Sequence, residues 1–194
     1  EFDKLIREYR NKYIKNSQII VDKVMEDSDH LSKAIKDSNI SSCIYELREL
    51  SWHKYLIDEV DFNVNLMQNL HILLKTPKEI IDTLLSSDII CLEGDDLRKA
   101  IINICGEYAG RVFPYIYRIS LSNTQSRRSR AGKTFEAIVY KIYELLEFPY
   151  DSQSRVGRKL FSDLGLGKKV DSILPGIDAY KNLRSKSIIG TMKT

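Results

Sequence analysis

Three residues in the last third of the chain have side chains suited to phosphodiester hydrolysis. Glu136 lies at the border of an apolar helical stripe, Asp171 lies in the segment Val-Asp-Ser-Ile-Leu, and Lys193 follows the apolar stretch Ile188–Met192. This reaction needs a divalent metal ion to neutralise the phosphate and polarise a water molecule, and a cation near the developing charge. Mg²⁺ takes hard oxygen ligands, usually one or two carboxylates. The set therefore indicates a metal-dependent phosphodiesterase.

The elements that must position these residues are predicted between residues 121 and 194. Ala131–Phe148 has helical periodicity, and Ser122–Ser129 before it is expected to be a polar connection. Three short segments have β character: Tyr150–Arg155, Lys168–Leu174 and Lys186–Lys193. Neighbouring strands could bring Asp171 and Lys193 to one sheet edge. The order predicts an α+β arrangement with the helix packed on one face of the sheet.

Residues 1–120 show helical periodicity throughout and little β signal. Thr76 followed by Pro77 predicts a helix start with Thr76 as the N-cap. Asp95–Tyr108 is expected to be a helix, with an aromatic continuation over Gly110–Leu121 that contains Pro114. We therefore predict an all-helical N-terminal region over 1–120 and a nuclease core over 121–194. The core is expected to be truncated at its C-terminus, because the sequence stops one residue after Lys193.

Composition restricts the class of protein. A hydrophobic fraction of 43% and a charged fraction of 29% over 194 residues are typical of a soluble globular protein. No apolar run is long enough for a membrane span, and no apolar signal region opens the sequence. Cys43, Cys91 and Cys105 are widely spaced and predict reduced, buried thiols. These features predict a cytoplasmic protein without a membrane partner.

The charge is distributed unevenly. Residues 1–120 carry 16 Lys and Arg against 20 Asp and Glu, whereas residues 121–194 carry 14 against 7. A basic block is expected of a protein that binds a polyanion, although a solvated basic face has the same composition. The tripeptide Gly132-Lys133-Thr134 invites a comparison with phosphate-binding loops. Such a loop requires glycine where this sequence has Arg127, and a preceding strand, so no nucleotide cofactor is expected.

The segments RSRAGKTFE, VDSILPG and MKT resemble motifs of the PD-(D/E)xK nuclease superfamily. More narrowly, they are similar to the catalytic domain of EcoRII-type restriction endonucleases, including the PspGI branch. The resemblance covers roughly 126–194. It implies that Glu136 and Asp171 bind Mg²⁺ and that Lys193 orients or activates the attacking water. Two departures stand out: Thr191 occupies the usual position of a carboxylate two residues before the lysine, and Val170 replaces the proline before the aspartate.

The resemblance implies a type II restriction endonuclease that cuts duplex DNA at a short, G·C-containing site. It also implies a prokaryotic homodimer, because two copies cut the two strands of a symmetric site. Cationic residues near the helix start are candidate DNA contacts: Arg127, Arg128, Arg130 and Lys133. Two alternatives stay open. One is a repair or recombination nuclease on the same core, and the other is a non-catalytic helical interaction module with a basic DNA-binding tail.

Overall fold

A computed structural model describes residues 1–166 and 170–192, except for the side chains of residues 87 and 90. Eleven α-helices lie in the described part of the chain: α1 Phe2–Tyr13, α2 Ser17–Glu26, α3 Asp29–Lys36, α4 Ile40–Gln68, α5 Leu70–Leu73, α6 Lys75–Leu84, α7 Ser87–Ile90, α8 Gly94–Leu145, α9 Gln153–Val156, α10 Arg158–Asp163 and α11 Ile177–Asn182. Three short strands are β1 Asp151–Ser152, β2 Ser172–Leu174 and β3 Ile188–Gly190, with a 3-10 helix at Arg184–Lys186 before β3. The predicted α+β class is confirmed.

The three strands form one antiparallel sheet in the order β1-β2-β3. Ser172 pairs with Gly190 and Ile173 with Ile189, while Asp151 pairs with Ile173 on the other side of β2. The strands are shorter than predicted. Residues 153–155, expected to be strand, lie in α9, and Asp171 lies one residue before β2.

The chain divides into two compact units. The first unit contains Glu1–Ile14 and Leu56–Ser126, and the second contains Lys15–Tyr55 and Arg127–Thr194. The second unit thus takes in a segment that the sequence analysis assigned to the N-terminal region. The division into a helical region 1–120 and a nuclease core 121–194 stays a prediction.

Within the first unit, α1 is held by both apolar and polar contacts. Phe2 is 4% exposed and meets Tyr115 edge-on at 4.9 Å between ring centroids. Arg10 donates to Asn123 Oδ1 at 2.7 Å, and its guanidinium lies 4.5 Å from the Phe62 ring centroid. Asn123 donates in turn to Asn63 Oδ1 at 3.0 Å. These contacts use polar residues of α8 that the sequence analysis expected in a loop.

The predicted connection at Ser122–Ser129 is therefore wrong, because α8 runs unbroken through this segment. No proline or glycine occurs between Pro114 and Gly132, so the backbone has no breaker there. The predicted cap at Thr76 is also wrong: α6 begins at Lys75, with Leu74 as its N-cap. Pro77 lies within the first turn, where its fixed φ is compatible with a helix.

Two apolar clusters stabilise the second unit. One buries side chains of α2, α3 and α4 against α8: Val21, Val24, Met25, Leu31, Ile35, Cys43, Leu47, Ala137, Ile138 and Ile142. The other surrounds Phe161, which is fully buried with Ile173 of β2 and Ile177 of α11. These clusters fix the C-terminal part of α8 and the sheet, the two elements that carry the candidate carboxylates.

The exposure of the cysteines and the apolarity of the helices can be compared with the sequence predictions. Cys43 is buried as predicted, whereas Cys91 and Cys105 are exposed, so their predicted burial is wrong. That prediction used residue type and not helix face, and type alone cannot place a side chain. No helix among the described residues is long and apolar enough to cross a membrane.

Candidate active site

Glu136 and Asp171 line the same cavity in the second unit. The cavity has a volume of about 530 Å³, and its wall also includes Lys133, Tyr140 and Arg158. Glu136 comes from α8 and Asp171 from the residue before β2. The structure therefore brings together two carboxylates that stand 35 positions apart in the sequence.

The position of Glu136 follows from the packing of α8. Ala137 and Ile138, the next two residues, are 4% and 0% exposed in the apolar cluster. Glu136 is only partly exposed as a result. Burial, followed by the negative charge of Asp171, raises the pKa of the Glu136 carboxyl, while the charges of Lys133 and Arg158 act in the opposite direction. The fold thus keeps an acid in a place where its ionised form is disfavoured.

Asp171 is held by hydrogen bonds from several elements. Its backbone N–H donates to Gly190 O of β3 at 2.9 Å, and its carboxylate accepts from the backbone N–H of Met192. Its backbone carbonyl accepts from the hydroxyl of Tyr140 at 3.0 Å. The aspartate therefore has a fixed main chain, with one carboxylate oxygen, Oδ2, already engaged by a main-chain donor.

Tyr140 also belongs to the candidate site, although this role was not predicted from its sequence position. It is 6% exposed, and burial is the largest of the effects that raise the pKa of its phenol, so the hydroxyl stays a proton donor at neutral pH. Gln153 is another such residue: its side-chain amide donates to Val170 O at 2.7 Å. A sequence signal existed for Tyr140 alone, because it stands four residues after Glu136 and so shares its helix face.

The candidate DNA contacts separate into different places. Lys133 lines the carboxylate cavity, whereas Arg127 and Arg130 line a second cavity of about 310 Å³ together with Trp52 and Tyr55. The Arg130 guanidinium lies 4.9 Å from the Tyr55 ring centroid.

Arg128 is exposed on α8. Arg158 of α10, which lines the carboxylate cavity, was not predicted, although it falls within the basic block. Lys193 lies outside the described residues. Its predicted role therefore stays a prediction, as do those of the other site residues.

The cavity fits a hard divalent cation. Two carboxylates are within the number that Mg²⁺ usually takes from a protein, with water and phosphate oxygens as its remaining ligands. The described residues contain no group of three or more His, Cys, Asp or Glu side chains able to hold a metal ion. A bound cation would offset the unfavourable charge interaction between Glu136 and Asp171. The donor set therefore favours a sparsely ligated, oxygen-coordinated ion over a zinc site.

The fold and the sequence are similar to those of type II restriction endonucleases. Over 80 residues, 41% of this chain, the sequence is 40% identical to the type II restriction enzyme SsoII from Shigella sonnei, and the match covers 26% of SsoII. The whole chain is similar to Ecl18kI, solved metal-depleted in complex with uncleaved, modified DNA, at 25% identity and a TM-score of 0.71. No protein-family model matches the chain.

A third similarity concerns the fold alone. The complex of restriction endonuclease PspGI with substrate DNA matches 91% of this chain at 18% identity and a TM-score of 0.52. This chain covers 58% of the Ecl18kI chain and 54% of the PspGI chain, so it spans little more than half the length of these structures. The resemblance to EcoRII-type and PspGI-type restriction endonucleases, predicted from the sequence motifs, is confirmed.

The charge interaction at Glu136 generates a prediction for the metal-free protein. A carboxyl whose pKa is raised by folding destabilises the fold once it ionises, so the penalty is absent at low pH and complete above the raised pKa. Glu136→Gln, which mimics the neutral acid, should therefore be more stable than the parent at neutral pH. The difference should shrink toward about pH 4, the ordinary carboxyl range.

Urea unfolding in the presence of a chelator would measure this difference. Glu147→Gln is the matched control, because Glu147 is exposed just after the same helix. A Glu136→Gln protein that is less stable than the parent at neutral pH would contradict the electrostatic description of the cavity.

Proposed function

We propose that the protein is a type II restriction endonuclease that hydrolyses phosphodiester bonds of duplex DNA with Mg²⁺ at a short specific site. The observation that carries this proposal is the cavity lined by both Glu136 and Asp171, which come from different parts of the fold. The sequence identity with SsoII supports the restriction enzyme over a repair nuclease or a non-catalytic helical module. Ecl18kI and PspGI were both solved with DNA, which supports DNA as the polymer bound by this protein.

In this proposal each residue has a chemical role. Glu136 and Asp171 would hold the Mg²⁺ ion, which supplies charge neutralisation at the phosphate and a polarised water when it is bound. Lys193, in the role implied by the resemblance, orients the attacking water and offsets negative charge that develops on the phosphate oxygens. Lys133 and Arg158, on the wall of the same cavity, attract the phosphodiester and balance the two carboxylate charges.

The assembly and location follow from the same proposal. A symmetric site cut on both strands requires two active sites, which a homodimer provides by its two-fold axis. The relative from Shigella sonnei supports a prokaryotic protein, and we place this one in the cytoplasm, where it would meet DNA. Arg127, Arg128 and Arg130 are proposed to contact the DNA backbone outside the carboxylate cavity.

Cleavage of duplex DNA tests the function directly. The full-length parent with Mg²⁺ should produce discrete fragments, and a chelator should stop the reaction. Asp171→Asn and Lys193→Ala should each reduce the rate at least about 10²-fold. Their matched controls, Asp163→Asn and Lys186→Ala, change exposed residues of the same unit and should cut like the parent.

Three outcomes would count against the proposal. Fragments without a sequence pattern would favour the repair nuclease, and an absence of cleavage with retained DNA binding would favour the non-catalytic module. Cleavage by Asp171→Asn within about tenfold of the parent rate would remove Asp171 from the active site, because one such electrostatic group is worth about 10²-fold or more.

The dependence of DNA affinity on salt tests whether Lys133 and Arg158, on the wall of the cavity, contact DNA phosphates. Each Lys or Arg that neutralises a phosphate contributes about 0.9 to the slope of log K against log salt. Lys133→Ala and Arg158→Ala should each lower the slope by up to about 0.9 in the presence of a chelator, which prevents cleavage. Lys159→Ala is the control, because Lys159 is exposed beside Arg158 and is not part of the cavity wall. Equal slopes for the parent and both cavity variants would show that this wall does not contact phosphate.

A further inference from the structure

Tyr140 connects the two elements that carry the carboxylates. It lies one helical turn after Glu136 on α8, so both side chains project from the same helix face. Its hydroxyl donates to the backbone carbonyl of Asp171 at 3.0 Å. Both residues line the carboxylate cavity with Asp171. One rigid helical turn and one hydrogen bond therefore separate Glu136 from the main chain of Asp171.

The Tyr140 ring is itself held in place. It is 6% exposed and stacks on Tyr150 with 5.3 Å between ring centroids and 13° between ring planes. Tyr150 is in turn fixed by the Tyr143 ring at 5.2 Å and by the Arg155 guanidinium, 5.2 Å from its centroid. The Tyr140 hydroxyl therefore cannot follow a displaced Asp171 without disturbing this stack.

The main chain around Asp171 is fixed from the side of the sheet as well. Its N–H donates to Gly190 O at 2.9 Å, and the carbonyl of Val170, the preceding residue, accepts from the Gln153 amide at 2.7 Å. These bonds fix the residue relative to β3 and α9. The bond from Tyr140 adds what they do not provide, a link to the helix that carries Glu136.

We propose that Tyr140 is a positioning residue that sets the separation of the Glu136 and Asp171 carboxylates for a shared divalent ion. This inference rests on the proposed function, because it requires that both carboxylates bind one ion. The chemistry of such sites supports it: groups that orient metal ligands by hydrogen bonds typically change metal affinity by about 10–100-fold when they are removed.

Tyr140→Phe in the full chain removes the hydroxyl and retains the ring. Tyr150→Phe is the matched control, since its hydroxyl donates to Glu144 at 3.3 Å and belongs to the same stack. Calorimetry with Mg²⁺, and electron paramagnetic resonance with Mn²⁺, measure metal binding without cleavage. We expect Tyr140→Phe to weaken binding about 10–100-fold and Tyr150→Phe to bind like the parent.

The double variant Tyr140→Phe/Asp171→Asn shows whether the hydroxyl acts through Asp171. It should bind metal no more weakly than Asp171→Asn alone. The inference is overturned if the single Tyr140→Phe variant binds like the parent, if both Phe variants weaken binding equally, or if the loss persists unchanged in the Asp171→Asn background. A parent chain that binds neither Mg²⁺ nor Mn²⁺ would instead reject the proposed function, and this inference with it.

Discussion

The repulsion between two carboxylates in one partly buried cavity is the constraint on which the rest of the second unit depends. Like charges that share a cavity disfavour the ionised form of each other, and burial of the cavity strengthens this effect. Glu136 shows the effect as a raised pKa, with burial as the larger cause and Asp171 next. A fold keeps such a pair only if other interactions stabilise both elements, and the cation that would relieve the repulsion is the one that phosphodiester hydrolysis requires.

Glu136 and Asp171 are held in place by different kinds of interaction. Glu136 depends on apolar packing, because Ala137 and Ile138 beside it are buried in the cluster that joins α8 to α2, α3 and α4. Asp171 depends on hydrogen bonds: Gly190 of β3 and Tyr140 bond its main chain, and the N–H of Met192, two residues after β3, bonds its carboxylate. Packing fixes a helix as a rigid body, and directional bonds fix a single residue near a short strand. The cavity is therefore lined by one carboxylate that is held by packing and one that is held by hydrogen bonds.

The sequence predicted the two carboxylates of the candidate site but not the residues that hold them in place. Glu136 and Asp171 could be predicted because a carboxylate at a helix border and one within a predicted strand resemble the order of motifs in EcoRII-type nucleases, and the structure places both in one cavity. Tyr140 and Arg158 were not predicted: the position of Tyr140 four residues after Glu136 and the place of Arg158 in the basic block are weak signals, and their contacts with distant segments appear only in the fold. The segment Ser122–Ser129 is misleading for the same reason: its polar composition suggests a loop, but Asn123 is used for contacts of α8 with α1 and α4.

The most direct test of the central claim is a double-mutant cycle on Mg²⁺ affinity with Glu136→Gln and Asp171→Asn in the full-length protein. If both carboxylates hold one ion, each single change should remove most of the binding, and the double variant should bind little more weakly than either one. Purely additive losses, or a Glu136→Gln protein that binds Mg²⁺ like the parent, would contradict a shared site.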